Sequence, residues 1–334
     1  MSRRRLSRRA AGGGAAIALG LALLLALGGA WTYVGPGPGA RSGDVTPVIL
    51  EAGSGVGQIG QSLKDAGVIS SAAVFTLATR LTGAGAKLKA GEYEFPSGAS
   101  MRQVLGDIRD GNTVRRQITI PEGWTSGMVW GAVMAKAELT GSVEIPPEGA
   151  LLPDTYRLER GQTRAAVILR MSDARDKALA ELWAARQSGL PLATPQDAVI
   201  LASIVEKETG VASERPRVAA VFVNRLRLGM ALQSDPTIIY GITKGRPLGR
   251  GIRASELAAI GPYNSYRVTG LPPTPISNPG REALAAVLNP PMTDELFFVA
   301  DGTGGHAFAP TYEAHKRNVA RWREIERQKA GEAK

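Results

Sequence analysis

The chain has 334 residues, with 44% hydrophobic and 21% charged residues, a balance that suits a folded body with a sizeable core and excludes a disordered polymer. It has no cysteine and only two histidines, His306 and His315, which excludes disulfides, cysteine-held metals, iron–sulfur clusters and a cysteine nucleophile. A formal net charge of +10 suits a nucleic acid, a membrane surface or an anionic polymer equally well.

Residues 1–10 form a basic arm carrying Arg3, Arg4, Arg5, Arg8 and Arg9. No charge follows until past Val34, and the centre from Ile17 to Leu27 is almost pure Leu, Ala and Ile. About twenty apolar residues suffice to cross a bilayer as a helix, and basic residues stay on the cytoplasmic side. Residues 11–34 are therefore expected to be a single transmembrane helix, closed by the interfacial aromatics Trp31 and Tyr33, with the N-terminus in the cytoplasm. The remainder then lies outside the inner membrane, which argues against nucleic acid as a partner. A cleaved signal peptide is the alternative, with the small residues Gly28-Gly29-Ala30 as the cleavage point. Residues 35–44, opening Gly-Pro-Gly-Pro-Gly, read as a linker.

Residues 45–112 read as a small α+β module. A strand over Val45–Ala52 precedes helices over Ile59–Ala66 and Ala72–Leu81. A strand over 91–95 and a helix capped by Ser100 complete it. Strand–helix–helix–strand at this size resembles a LysM-like glycan-binding unit; a spacer without ligand is the alternative. Residues 113–330 read as a larger, mixed α+β domain. They comprise a strand over Val114–Ile120, a helix over Gly127–Leu139, a loop over Gly141–Gly149 and a long helix over Arg164–Arg186. The absence of a regular strand–helix alternation argues against a doubly wound sheet.

The sharpest chemical signal is the next helix. Thr194-Pro195-Gln196-Asp197 supplies an N-cap, a proline in the first turn and an acid positioned to bond back. At about 100° per residue, Leu201, Ile204, Val205 and Glu208 share one face, and Glu206 lies roughly 160° from Glu208. Glu208 thus continues an apolar stripe. Burial there raises a carboxyl pKa and makes it a general-acid candidate, or the residue pairs with a nearby cation at the helix end.

Ala202-Ser203-Ile204-Val205-Glu206-Lys207-Glu208-Thr209 resembles the signature of the endolytic murein transglycosylases, the YceG-like or MltG family. Further matches follow in order. They include Ala90–Tyr93, Ile120–Trp124, Leu152–Tyr156, Val221–Leu226, Leu232–Thr237, Ile239–Gly241 and Tyr263–Tyr266. Gly270–Pro273, Asn278–Gly280, Phe298–Gly302 and Gly304–Phe308 close the series. The resemblance covers nearly the whole chain after the expected anchor and includes that N-terminal membrane segment. It implies an enzyme that cuts peptidoglycan strands internally between N-acetylmuramic acid and N-acetylglucosamine, leaving a 1,6-anhydro end. Glu208 is the implied catalytic acid, with Glu206 as second choice or supporting carboxylate. It implies no cofactor or metal, and association with peptidoglycan synthases that no residue here specifies. Gln233, Ser234, Asp235 and Thr237 form a polar run suited to sugar hydroxyls; Tyr240, Tyr263 and Tyr266 offer rings, and Asn264 an amide. Leu152 stands where the family often has an aromatic, so one groove wall is expected to differ. A hydrolase pairing Glu208 with Glu206 or Asp235, and an inactive wall-binding scaffold, are the rival readings. The basic tail, Glu313–Lys334, reads as a solvated helix face.

Overall fold

The computed structural model describes residues 3–114 and 116–332, with side chains described over 19–114 and 116–329. The chain divides into two compact units, Met1–Arg115 and Arg116–Lys334.

The first unit opens with α1 (Arg3–Val34), one unbroken helix. Among the described residues no helix is long and apolar enough to cross a membrane. Residues 11–18 of the expected span lie outside the residues whose side chains are described. The helix stops at Gly35, whose N–H donates to Trp31 O at 2.7 Å, and Tyr33 packs against the core of the small module.

That core is built on β1 (Val45–Leu50), paired antiparallel with β2 (Gly91–Pro96) in the register Val48↔Tyr93. Between them run α2 (Val56–Asp65) and α3 (Ala72–Leu81); α4 (Met101–Asp110) follows. α2 starts three residues before the expected point because Gly55 caps it and the Gln58 side chain accepts from the Gly55 N–H at 2.8 Å. Ser100 caps α4 as expected, accepting from Gln103 N–H at 3.2 Å. Alternation along β2 sends Tyr93 and Phe95 inward, stacked 5.7 Å apart, over Leu63, Phe75, Val104 and Ile108. The Tyr93 hydroxyl stays satisfied by donating to Lys89 O at 2.7 Å.

The second unit carries β3 (Arg116–Thr119) antiparallel to β4 (Thr155–Leu158), with α5 (Ser126–Met134) between them. These strands and α6 (Arg164–Ala184) enclose one core around Val129, Leu151, Val167 and Met171. A larger core forms where α7 (Pro195–Glu208), α8 (Arg215–Arg227) and α11 (Arg281–Leu288) meet. α9 (Asp235–Thr243) and the short α10 (Ala254–Ala258) lie between α8 and α11 in sequence. The hairpin β5 (Phe297–Ala300) and β6 (His306–Ala309) leads into α12 (Tyr312–Glu332). All six strands pair antiparallel in three two-stranded sheets, so the described chain is mixed α+β.

One expectation needs correction. The helical wheel gives α7 a single buried stripe, yet every residue from Ala198 to Val205 is buried. α7 packs against α6, α8, α9 and α11 and has no solvent face between Ala198 and Val205. Glu206, expected off the stripe, is therefore also interior, with its side chain 4% exposed.

Candidate active site

The start of α7 is fixed as its sequence dictates. Thr194 Oγ1 accepts from Asp197 N–H at 3.2 Å, and the Asp197 carboxylate accepts from Thr194 N–H at 2.9 Å and Ala193 N–H at 2.8 Å. Further along, the Ser203 hydroxyl donates to Ile200 O at 2.7 Å and accepts from Ile276 N–H at 3.0 Å, tying the helix to the 276–278 segment. The helix ends at Glu208, because Thr209 is extended.

Glu208 lines a cavity of about 430 Å³ together with the polar residues Arg225, Gln233, Asp235 and Tyr266 and with residues of the β5 strand and the start of α12, among them Phe297, Tyr312 and His315. The Ser234 hydroxyl donates to Glu208 Oε1. Ser234 is itself held: its N–H donates to Ser265 Oγ at 2.9 Å. Burial pushes the Glu208 carboxyl up to about 7, and the Asp235 charge adds to the rise. The Ser234 hydrogen bond and the charges of His306 and Arg225 pull the other way and only partly offset it. The negative end of the α7 dipole also disfavours a charge there. A carboxyl so poised exchanges its proton near neutral pH, which is what a group acting first as acid and then as base requires.

Its neighbours are held by hydrogen bonds. Arg225 is buried and donates to Leu232 O and Leu296 O, each at 2.7 Å. Gln233 sits at φ 55°, in the left-handed region, with its N–H on Ser265 O at 2.9 Å. A non-glycine residue there costs roughly 1–2 kcal/mol, which the surrounding bonds must offset. The Tyr266 hydroxyl donates to Asp235 Oδ1 at 2.8 Å, and burial with that bond raises its pKa.

The remaining sequence candidates lie elsewhere. Thr237 is fully buried, donating to Ser234 O at 2.7 Å and sharing a bond with Ser265 Oγ at 2.8 Å. The Asn264 amide donates to three carbonyls, those of Glu256, Leu257 and Ala259. Tyr240 and Tyr263 meet edge to face at 5.1 Å. Their hydroxyls engage Glu148 at 3.2 Å and Thr274 at 2.7 Å. None of these four lines the Glu208 cavity, and neither does Leu152, so the expected change of a groove wall at that position does not apply to it.

Glu206 faces a different set of groups. Its carboxylate accepts from Gly280 N–H at 2.9 Å and lies 3.5 Å from Arg215, which also reaches Glu122 at 3.2 Å. Burial raises its pKa, and it too stays off the cavity. This cluster joins the Pro121-Glu122-Gly123 turn, α7, α8 and the Asn278-Pro279-Gly280 turn. A side chain at Gly280 would place its Cβ 2.0 Å from Glu122 Oε1.

The YceG-like family model matches residues 48–321. The chain belongs to the YceG-like family. A protein of Streptococcus pneumoniae described as an endolytic murein transglycosylase is 31% identical over 330 residues, covering 84% of this chain and 59% of the relative. A Bacillus subtilis protein of the same description is 27% identical over 300 residues, covering 80% of this chain and 82% of that one. The chain thus spans 59% of the length of the pneumococcal relative. A crystal structure of a protein described as yceG-like, from Listeria monocytogenes, superposes with a TM-score of 0.52 at 28% identity. It covers 83% of this chain and 99% of that one.

Three features of the YceG-like site escaped the sequence reading. Arg225 lies inside the matched Val221–Leu226 segment, and a lone arginine in an apolar run was the available signal. Glu214 accepts from His306 N–H at 2.8 Å and meets His306 Nδ1 at 2.7 Å, bracing the β5–β6 hairpin near the acid. The first turns of α12 line the cavity with Tyr312, His315 and Val319, a face the sequence did not single out, while the charged face of Lys316, Arg317 and Arg321 is exposed as expected.

Proposed function

We propose that the chain is an endolytic lytic transglycosylase that cleaves the bond between N-acetylmuramic acid and N-acetylglucosamine in peptidoglycan, using Glu208 as its single acid and base. The observation that carries the reading is a carboxyl held near neutral pKa, one oxygen bonded to Ser234, in an open cavity. The names of the relatives support the substrate class.

Protonated Glu208 donates to the glycosidic oxygen, and the C1–O bond breaks as the N-acetylglucosamine hydroxyl leaves. Positive charge develops at C1 of the muramyl ring, where the substrate's 2-acetamido group shares it. The Glu208 carboxylate then takes the proton of the muramyl 6-hydroxyl while O6 bonds to C1. The acid returns to its starting form and no water is consumed. Gln233, Asp235, Tyr266 and Arg225 orient the sugar by hydrogen bonds. Glu206 supports α7 through Arg215 and Gly280. Residues 11–34 anchor the enzyme in the inner membrane with residues 1–10 in the cytoplasm, and the 45–112 module is LysM-like. Peptidoglycan strands are the partner, with peptidoglycan synthases alongside.

A hydrolase using Asp235 as its second carboxylate is the alternative favoured by the proximity of that charge to Glu208. Mass spectrometry of peptidoglycan digested by the full chain separates the two. Sugar ends lighter by one water, abolished by Glu208→Gln, are expected. Hydrated ends from the outset, or cutting that survives Glu208→Gln, would refute the single-carboxylate reaction.

A further inference from the structure

Part of the cavity lining is aromatic and comes from the C-terminal end of the unit. Tyr312, His315 and Val319 recur at i, i+3 and i+7 on α12, so one helix face points all three at the cavity. The His315 ring stacks on Phe297 at 5.2 Å with 22° between planes, and Phe297 meets Tyr312 at 5.9 Å. The Arg225 guanidinium lies 5.3 Å from the Phe297 centroid. Phe297 is therefore the covered base of the cluster. Tyr312, 57% exposed, is its open ring; one neighbour is Lys316 Nζ at 5.1 Å, on a flexible, exposed side chain.

His315 adds a polar atom to this wall. Its Nδ1 is buried and has no hydrogen-bond partner among the described residues. A buried polar atom left unpaired costs about 1–3 kcal/mol, so a fold that only needed to pack α12 on β5 gains nothing from a histidine there. Burial and the Arg225 charge depress its pKa, which keeps the imidazole neutral and able both to donate and to accept.

We propose that Tyr312 and His315, backed by Phe297, form a saccharide subsite that stacks an N-acetylated pyranose of the strand in the Glu208 cavity. The proposal rests on the reading of Glu208 as the acid that cuts a glycan. Tyr312 supplies a flat apolar face against the ring carbons, and His315, whose ring lines the cavity, bonds a hydroxyl or acetamido group through Nε2, the nitrogen that is not sealed. Tyr312 then grips the strand without touching the broken bond.

The test uses the full chain carrying Glu208→Gln, with the β-1,4-linked tetramer of N-acetylglucosamine as probe and calorimetric titration as readout. Tyr312→Ala is expected to weaken binding about tenfold or more, with Tyr312→Phe restoring most of it. His315→Phe keeps the stacking and removes the polar edge; it is expected to weaken binding several-fold while the unfolding midpoint stays at or above that of the parent. Equal affinity in all variants would overturn the subsite, as would a parent that does not bind the tetramer. Affinity lost only in step with thermal stability would also overturn it, leaving α12 a structural helix. Whether Glu208 cuts is read separately from the digestion products, so failure of one assignment is not mistaken for failure of the other.

Discussion

Replacing Glu208 by glutamine should cost activity and add stability, with a pH signature that identifies the buried proton. Glutamine keeps the shape and the acceptor oxygen for Ser234 but never ionises. In the folded chain the carboxyl is held up to about 7, against 4.5 for the ordinary side chain. Below pH 4.5 both folded and unfolded chains hold the proton, and the substitution should be nearly neutral. Between 4.5 and 7 the unfolded chain releases it first, so the wild type loses stability as pH rises. Above 7 the loss is complete, and at ~1.4 kcal/mol per pH unit it amounts to at most about 3 kcal/mol. Urea unfolding of wild type and Glu208→Gln at pH 4, 6 and 8 measures the difference directly. The variant should match the wild type at pH 4 and exceed it by up to about 3 kcal/mol at pH 8. A difference independent of pH, or a variant less stable at pH 8, would refute the claim that an expensive ionisation is stored at this position.

Ser234→Ala removes the donor that favours the carboxylate, so the alkaline limb of the pH–rate profile should move to higher pH while turnover falls about tenfold; an unmoved limb would exclude Ser234 as a tuner. Glu206→Gln leaves buried Arg215 with one carboxylate instead of two, and should lower stability by about 1–3 kcal/mol in urea unfolding without changing the chemical form of the product. Asn264→Ala strands three carbonyl acceptors and should cost about 2–3 kcal/mol of stability; a raised KM with unchanged stability would instead return Asn264 to the substrate.

The acid end of α7 was legible because local rules act there: a capping Thr194, a proline in the first turn, and a carboxylate in register with Leu201, Ile204 and Val205. The status of Glu206 was not, because a helical wheel presumes a wet side, and α7 is covered by four other helices. The polar run from Gln233 to Thr237 looked uniform in sequence, yet folding divides it. Pro236 opens α9, so Thr237 turns back onto Ser234 O, while Gln233 and Asp235 keep their place at the cavity. Asn264 looked like a ligand group because an amide serves a turn as readily as a sugar. The aromatic wall was invisible for a different reason: Tyr312 and His315 follow Glu208 by about a hundred residues, and only tertiary packing brings them to it.

The hydroxyl of Ser234 engages one oxygen of the Glu208 carboxyl. A carboxylate oxygen can accept two hydrogen bonds, so in the proposed cycle either oxygen can serve the departing bridge and the arriving 6-hydroxyl, with Oε2 the one that carries no bond to Ser234. Because Ala198–Val205 of α7 is buried against neighbouring helices, the carboxyl sits on a fixed support, and the proposed reaction asks the sugar rather than the protein to reposition between the two proton transfers.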